Sequence, residues 1–315
     1  MGFGLGLSAN PYRLAEKFIY RFFLWFVMDS NERTELLYLF HLKFIENPRI
    51  KYSQLHRLQT FYKAENSTIE LIHAAFNRKI ILSPILYCNS GIDVELRLKD
   101  EIEDQIGHLE SLRNNPDVTR AVALFGEHSF LCFRKGASIL KYAEAVKPTM
   151  NSSFKIKDLE LKQKGKLPSD PYPRGWDELD WKIYDLMRDP RIPFPKISGH
   201  LQAEDEFSVS WKTVSAHYEK IVKDCKSWVG FFPRGMDNYS QTFLTFRTDY
   251  EKDLRNELQK LDRSTYIYKM GKMIILNLFL DNNIDHRVFV ELKKKGLIHD
   301  LRVSMPVHFW TPLPI

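Results

Sequence analysis

Hydrophobic positions recur along this chain in two rhythms, one helical and one alternating, and the succession of rhythms occurs twice. Leu36, Leu37, Phe40 and Phe44 fall at helical spacing and lead into Asn47-Pro48-Arg49-Ile50. Leu179, Ile183, Leu186 and Met187 do the same before Asp189-Pro190-Arg191-Ile192. Each tetrapeptide precedes a short segment with apolar residues three or four apart: Tyr52, Leu55 and Leu58 in one case, Phe194, Ile197 and Leu201 in the other. A third helical segment follows, Glu65 to Arg78 or Ser208 to Val222. An apolar stretch ending in proline then leads out, Ile80 to Pro84 or Trp228 to Pro233. Four elements in one order, twice, predict a duplicated chain. Three short helices with an extended exit predict a winged helix-turn-helix in each copy, a generic three-helix bundle being the plainer alternative.

The remainder of each copy alternates strands with helices. In the second, Thr242 to Phe246 predicts a strand and Tyr250 to Leu261 a helix. Thr265 to Met270 and Met273 to Leu280 predict a hairpin turning at Gly271-Lys272. Arg287 to Lys294 is a helix ending before Gly296, and Leu301 to Met305 a last strand. In the first copy the matching pieces are Val94 to Leu98, Glu101 to Leu112, Thr119 to Leu124 and Phe130 to Phe133. A helix over Ala137 to Ala145 and a strand over Phe154 to Leu161 complete it. The fold class expected is α+β, two copies of a helix-turn-helix followed by a ferredoxin-like β-α-β-β-α-β domain. The expected divisions are an apolar extension over 1–28, a first helix-turn-helix over 29–90 and a first ferredoxin-like domain over 91–162. A proline-rich linker over 163–176, a second helix-turn-helix over 177–233 and a second ferredoxin-like domain over 234–315 follow.

Composition changes this picture little. A net charge of +6 and a pI near 9.0 favour a polyanionic partner without naming it. Cys88, Cys132 and Cys225 stand far apart, so neither a disulfide framework nor a zinc ligand set is expected, and the protein reads as reduced and cytoplasmic. The greasy run Phe22 to Met28 is broken from its neighbours by Arg21 and ended by Asp29, well short of the roughly 20 apolar residues that span a bilayer. It reads either as an extra amphipathic helix or as sequence preceding a true start at Met28.

The order of elements resembles the Lrp/AsnC family of bacterial and archaeal regulators, in the tandem form known from archaea. Leu179-Asp180-Trp181-Lys182-Ile183 resembles the family's opening helix, and Ser210, Thr213-Val214 and His217 its recognition helix. The likeness covers 177–310 well and 29–162 more weakly. It implies a sequence-specific, DNA-binding transcriptional regulator, not an enzyme, with double-stranded DNA as partner. It also implies pairing of the two copies within one molecule, further association into a homodimer, and a small-molecule effector. The family's glycine turn resembles Gly126-Glu127-His128-Ser129 and Gly271-Lys272-Met273-Ile274. Both lack the family's aspartate, so an amino-acid effector is not carried over.

A DNA-reading helix must offer donors and cations from one face. Ser210, Lys212, Thr213, Ser215, His217 and Lys220 form that set in the second copy. Asn66, Ser67, Thr68, Arg78 and Lys79 form a weaker one in the first, where Glu70 would repel phosphate. Gly126, His128, Gly271 and Lys272 mark an effector cleft. No catalytic set, metal set or cofactor motif is read, and His128 is the histidine to test for catalysis. Two other classes remain open. One is an interaction protein with degenerate helix-turn-helix units. The other is an enzyme similar to sirohaem decarboxylases, which use histidine and arginine around a tetrapyrrole between paired domains.

Overall fold

The computed structural model describes residues 30–136, 140–204 and 208–310, so the extension expected over 1–28 lies outside the described residues. Helices α1 (Ser30–Glu46), α2 (Tyr52–His56) and α3 (Glu65–Asn77) close on Phe40, Phe44, Leu55 and Ile72, all fully buried. Short strand β1 (Ile85–Tyr87) leads to β2 (Ile92–Leu98), α4 (Gln105–Ser111), β3 (Val118–Gly126), β4 (His128–Lys135) and β5 (Leu140–Val146). A second trio follows: α5 (Glu178–Leu186), α6 (Phe194–Glu204) and α7 (Trp211–Asp224). Its core is Ile183, Ile197, Leu201, Val214 and Ile221. Strand β6 (Lys226–Trp228) leads to β7 (Ser240–Thr248), α8 (Glu251–Gln259), β8 (Thr265–Met270), β9 (Met273–Leu280), α9 (Arg287–Lys294) and β10 (Ile298–Trp310).

The repeated tetrapeptides lock the two trios to each other. In both, the aspartate or asparagine side chain accepts the arginine backbone N–H, Asn47 from Arg49 at 3.0 Å and Asp189 from Arg191 at 2.9 Å. That turn throws each arginine into the opposite trio. Arg49 stacks 3.9 Å over Phe194 and donates to the Ile192 carbonyl at 2.8 Å, while Arg191 stacks 4.4 Å over Tyr52. The exit stretches are joined as well. β1 and β6 pair antiparallel with Ile85 opposite Trp228, and the ribbon continues through a bridge between Ile81 and Phe231. The two expected wings therefore zip together rather than project, because each supplies the backbone partners that the other lacks.

The sheet is antiparallel and curled, in the order β2-β4-β3-β10-β7-β9-β8-β5. The last strand of each half crosses to the second strand of the other: β10 lies on β3, and β5 on β8. Side chains alternate between faces. Ile275, Tyr268, Val122 and Phe133 pack on the inner side in a core shared by both halves. Leu276, Ile267 and Phe246 face α8 and α9. Among the described residues, no helix is long and apolar enough to cross a membrane.

Three expectations for the first half are corrected. Residues 140–146 form a strand rather than part of a helix. Leu140 and Tyr142 are buried and Lys141 exposed, and pairing with β8 outweighs the helix preference of alanine, lysine and glutamate. Residues 154–161, expected as the closing strand, hold only the single turn Ile156–Asp158 within otherwise extended chain. The polar stretch 163–176 is a strap rather than a free linker. Leu167 donates its N–H to buried Glu251 at 2.8 Å, and buried Asp170 accepts the Ala143 N–H at 2.9 Å and pairs with Lys226.

Candidate functional site

The polar set of α7 is largely occupied within the protein. Ser210 caps the helix, its hydroxyl accepting the Thr213 N–H at 3.2 Å and meeting the Thr213 hydroxyl at 3.0 Å. Lys212 is exposed and Ser215 half-buried. His217 and Lys220 turn inward to Asp180 of α5, a carboxylate with no exposed surface. His217 Nδ1 lies 2.7 Å from one oxygen and Lys220 pairs with the other. Burial pushes the Asp180 carboxyl up. Hydrogen bonds from Lys220, the Asp177 N–H and His217 outweigh that and hold it below the ordinary aspartate value. Asp177 completes a group whose ligand atoms lie within 4.8 Å of one another, but the Lys220 ammonium already supplies the cation.

In the first trio Asn66 is exposed and Ser67 half-buried. Thr68 is fully buried, its hydroxyl 2.9 Å from His56 Nδ1 and 3.2 Å from Gln59 Nε2, so it has nothing to offer an outside partner. Arg78 is exposed, and Lys79 pairs with Asp237 at 2.8 Å.

The residues expected in an effector cleft separate. Gly126 turns β3 into β4 with φ of 135°, and a Cβ there would lie 2.5 Å from the Val303 carbonyl oxygen. Only glycine lets this turn press against β10, where the Glu127 N–H reaches Val303 at 3.1 Å and the His128 N–H reaches the Ser304 hydroxyl at 2.8 Å. His128 is thereby planted at the seam between the halves, 4% exposed, with Nε2 2.9 Å from the Thr245 hydroxyl. It lines a cavity of about 420 Å³ with Thr245, Arg247, Met273, Asp300 and Arg302. Gly271 and Lys272 sit at an exposed turn and are not among the lining residues.

Burial first, and the charge of Arg302 second, hold His128 below the ordinary histidine value, against the opposing pull of the Arg97 carbonyl and Glu101. Arg247 pairs with Asp300, whereas Arg302 has no ion-pair partner among the described residues. The cavity therefore offers a neutral imidazole, the form that accepts a proton, beside a guanidinium without an ion-pair partner among the described residues. Sequence reasoning finds His128 by its turn but misses Thr245, Arg247 and Arg302. They belong to the other half, and only the crossing of β10 brings them near.

No family model matches the chain, and no curated protein matches it. Two solved structures resemble it. One is the crystal structure of the siroheme decarboxylase NirDL, at a TM-score of 0.48. The other is the same protein in co-complex with an iron-uroporphyrin III analogue, at 0.47. Each is 10% identical and covers 91% of this chain and 94% of the other. Two expectations are corrected by these findings. The reading as an Lrp/AsnC transcriptional regulator has no match to rest on, and the structures that resemble the chain are of an enzyme rather than a regulator. The expectation that the chain is not an enzyme falls with it. A likeness at this level of identity and TM-score assigns neither activity nor substrate.

Proposed function

We propose that the protein binds a carboxylate-bearing small molecule in the His128 cavity, and that His128 acts as a general base, taking a proton from another position of that molecule. One observation carries this reading: a neutral, buried histidine held at the joint of the two halves, beside an arginine that lacks an acid partner. A guanidinium in a partly enclosed site gains most from a charged acceptor, and a carboxylate matches its planar fork. A histidine held neutral at pH 7 is in the form a general base requires, and the Thr245 hydroxyl fixes its ring.

Calorimetric titration of the full chain with iron-uroporphyrin III and with succinate tests the reading, one probe being a tetrapyrrole carboxylate and the other a small dicarboxylate. At least one should bind, and Arg302→Ala should weaken it by about tenfold or more, the usual loss of a charge-assisted hydrogen bond. His128→Gln should bind with a changed proton uptake, measured by repeating the titration in buffers of different ionisation heat. Absence of binding by both carboxylates, or equal binding by Arg302→Ala, would refute the proposal in favour of a protein that serves as an interaction surface.

A further inference from the structure

A second cavity lies at the opposite end of β4, where the β1–β6 ribbon arches over the sheet. It holds about 80 Å³ and opens to one side. Its residues come from three parts of the chain that are remote in sequence. The ribbon supplies Tyr87 and Trp228, the sheet Arg120, Phe133 and Tyr268, and the chain just after α5 supplies Arg188.

The walls are aromatic and ordered by contact with one another. Tyr87 and Trp228 stack with ring centres 4.6 Å apart and planes 24° apart. Trp228 meets Tyr268 edge-on at 6.0 Å, and Phe133 lies 5.0 Å from Tyr268. These rings fix one another and give the cavity a rigid aromatic wall against which another ring can pack. Its polar groups are unevenly satisfied. The Arg120 guanidinium donates to the Tyr268 hydroxyl at 3.1 Å, and neither Arg120 nor Arg188 has an ion-pair partner among the described residues. Lys135 and Asp185, also on the lining, neutralise each other at 2.8 Å and leave the two arginines as its net charge. Trp228 Nε1 and the Tyr87 hydroxyl are shut away from solvent without a hydrogen-bond partner among the described residues. Burying such groups unpaired opposes folding.

Aromatic rings and two guanidinium groups without ion-pair partners among the described residues are more than a packing defect. A void left by imperfect packing would be lined by apolar groups, not by two guanidinium groups. We infer that this cavity is a binding site for a planar aromatic anion, its ring inserted beside Trp228 and Tyr268 and its acid group on Arg120 and Arg188. The site does not depend on the His128 cavity and shares no residue with it. The ribbon roofing it is the element that ties the two helix trios together, so occupation bears directly on how the trios are held.

The test uses the full chain and 2-naphthoate, with the uncharged 2-naphthamide as its control. Binding is read by saturation-transfer NMR and by quenching of tryptophan emission. 2-Naphthoate should bind and the amide should bind at least about tenfold more weakly. Arg188→Ala, a change at a half-exposed position, should reduce naphthoate affinity to the level of the amide. Trp228→Phe, which keeps the stacking surface, should abolish most of the quenching, and His128→Gln should leave the affinity unchanged. Failure of naphthoate to bind at millimolar concentration overturns the proposal. So does equal binding of acid and amide, or full affinity in Arg188→Ala.

Discussion

His41 allows a quantitative test of how tightly the first helix trio is sealed. Its ring has no exposed surface and packs 5.3 Å from Phe231 and 5.7 Å from Tyr38, ring centre to ring centre. Neither ring nitrogen has a hydrogen-bond partner among the described residues. Burial, helped by the charge of Lys147, pushes its pKa down from 6.5 to about 3. The sign follows from linkage. Above pH 6.5 both folded and unfolded chains carry neutral His41, so it contributes no pH dependence. Between 6.5 and 3 the unfolded chain takes a proton that the folded chain refuses, and stability falls by about 1.4 kcal/mol per pH unit. At pH 5 the loss is roughly 2 kcal/mol. His41→Phe removes this loss while keeping an aromatic ring against Phe231. Urea unfolding of both proteins, followed by circular dichroism at pH 7, 6 and 5, isolates the contribution, since every other titrating group is common to the pair. The stability difference should move by roughly 2 kcal/mol in favour of the variant between pH 7 and pH 5. A difference constant with pH would show that the His41 ring is reached by water or a hydrogen-bond partner.

Two further outcomes follow from the packing. Asp180→Asn, which leaves Lys220 and His217 without their shared buried carboxylate, should cost about 3 kcal/mol at pH 7. Because the Asp180 carboxyl is held below its ordinary value, its contribution is present above about pH 4 and disappears as pH falls further, so wild type and variant should converge in acid. Convergence at neutral pH instead would show the cluster to be energetically idle. Arg49→Ala and Arg191→Ala should each cost about 2 kcal/mol, the first through lost stacking and carbonyl contacts and the second through lost stacking. In the double variant, probes in the helix trios should lose their structure before probes in the sheet. A single coincident transition would mean that the ribbon alone holds the trios.

Much of the second half was legible from pattern. The limits of β8, β9 and α9 coincide with those read from β-branched and aromatic runs and from the glycines at 271 and 296. The duplicated tetrapeptide was visible too, but not its purpose, since nothing in Asn-Pro-Arg-Ile shows which aromatic rings the arginine will meet. Leu140 to Val146 misled because its side chains favour a helix in isolation, and the partner that makes it a strand lies in the other half. The polar face of α7 misled for a related reason. His217 and Lys220 read as outward donors until Asp180, a charged residue of the opening helix, proves to be fully buried beneath them. His128 was legible by its turn, whereas Arg302 and the rings of the second cavity were not. Their proximity is a property of the crossing strands and not of any local motif.

The exchange of last strands sets a timetable for the nascent chain. Strand β3 is synthesised well before its partner β10, the last described element, with 176 residues separating His128 from Ser304. Throughout synthesis the first half presents an unpaired edge that includes Phe125, 65% exposed even in the finished protein. Contacts of such separation form slowly, and bare edges recruit other chains. A chain released before residue 298 would lack both the closing strand and the seam that plants His128. Loss of β10 therefore exposes β3 and the seam together, and products truncated before it should aggregate rather than persist as half-active molecules.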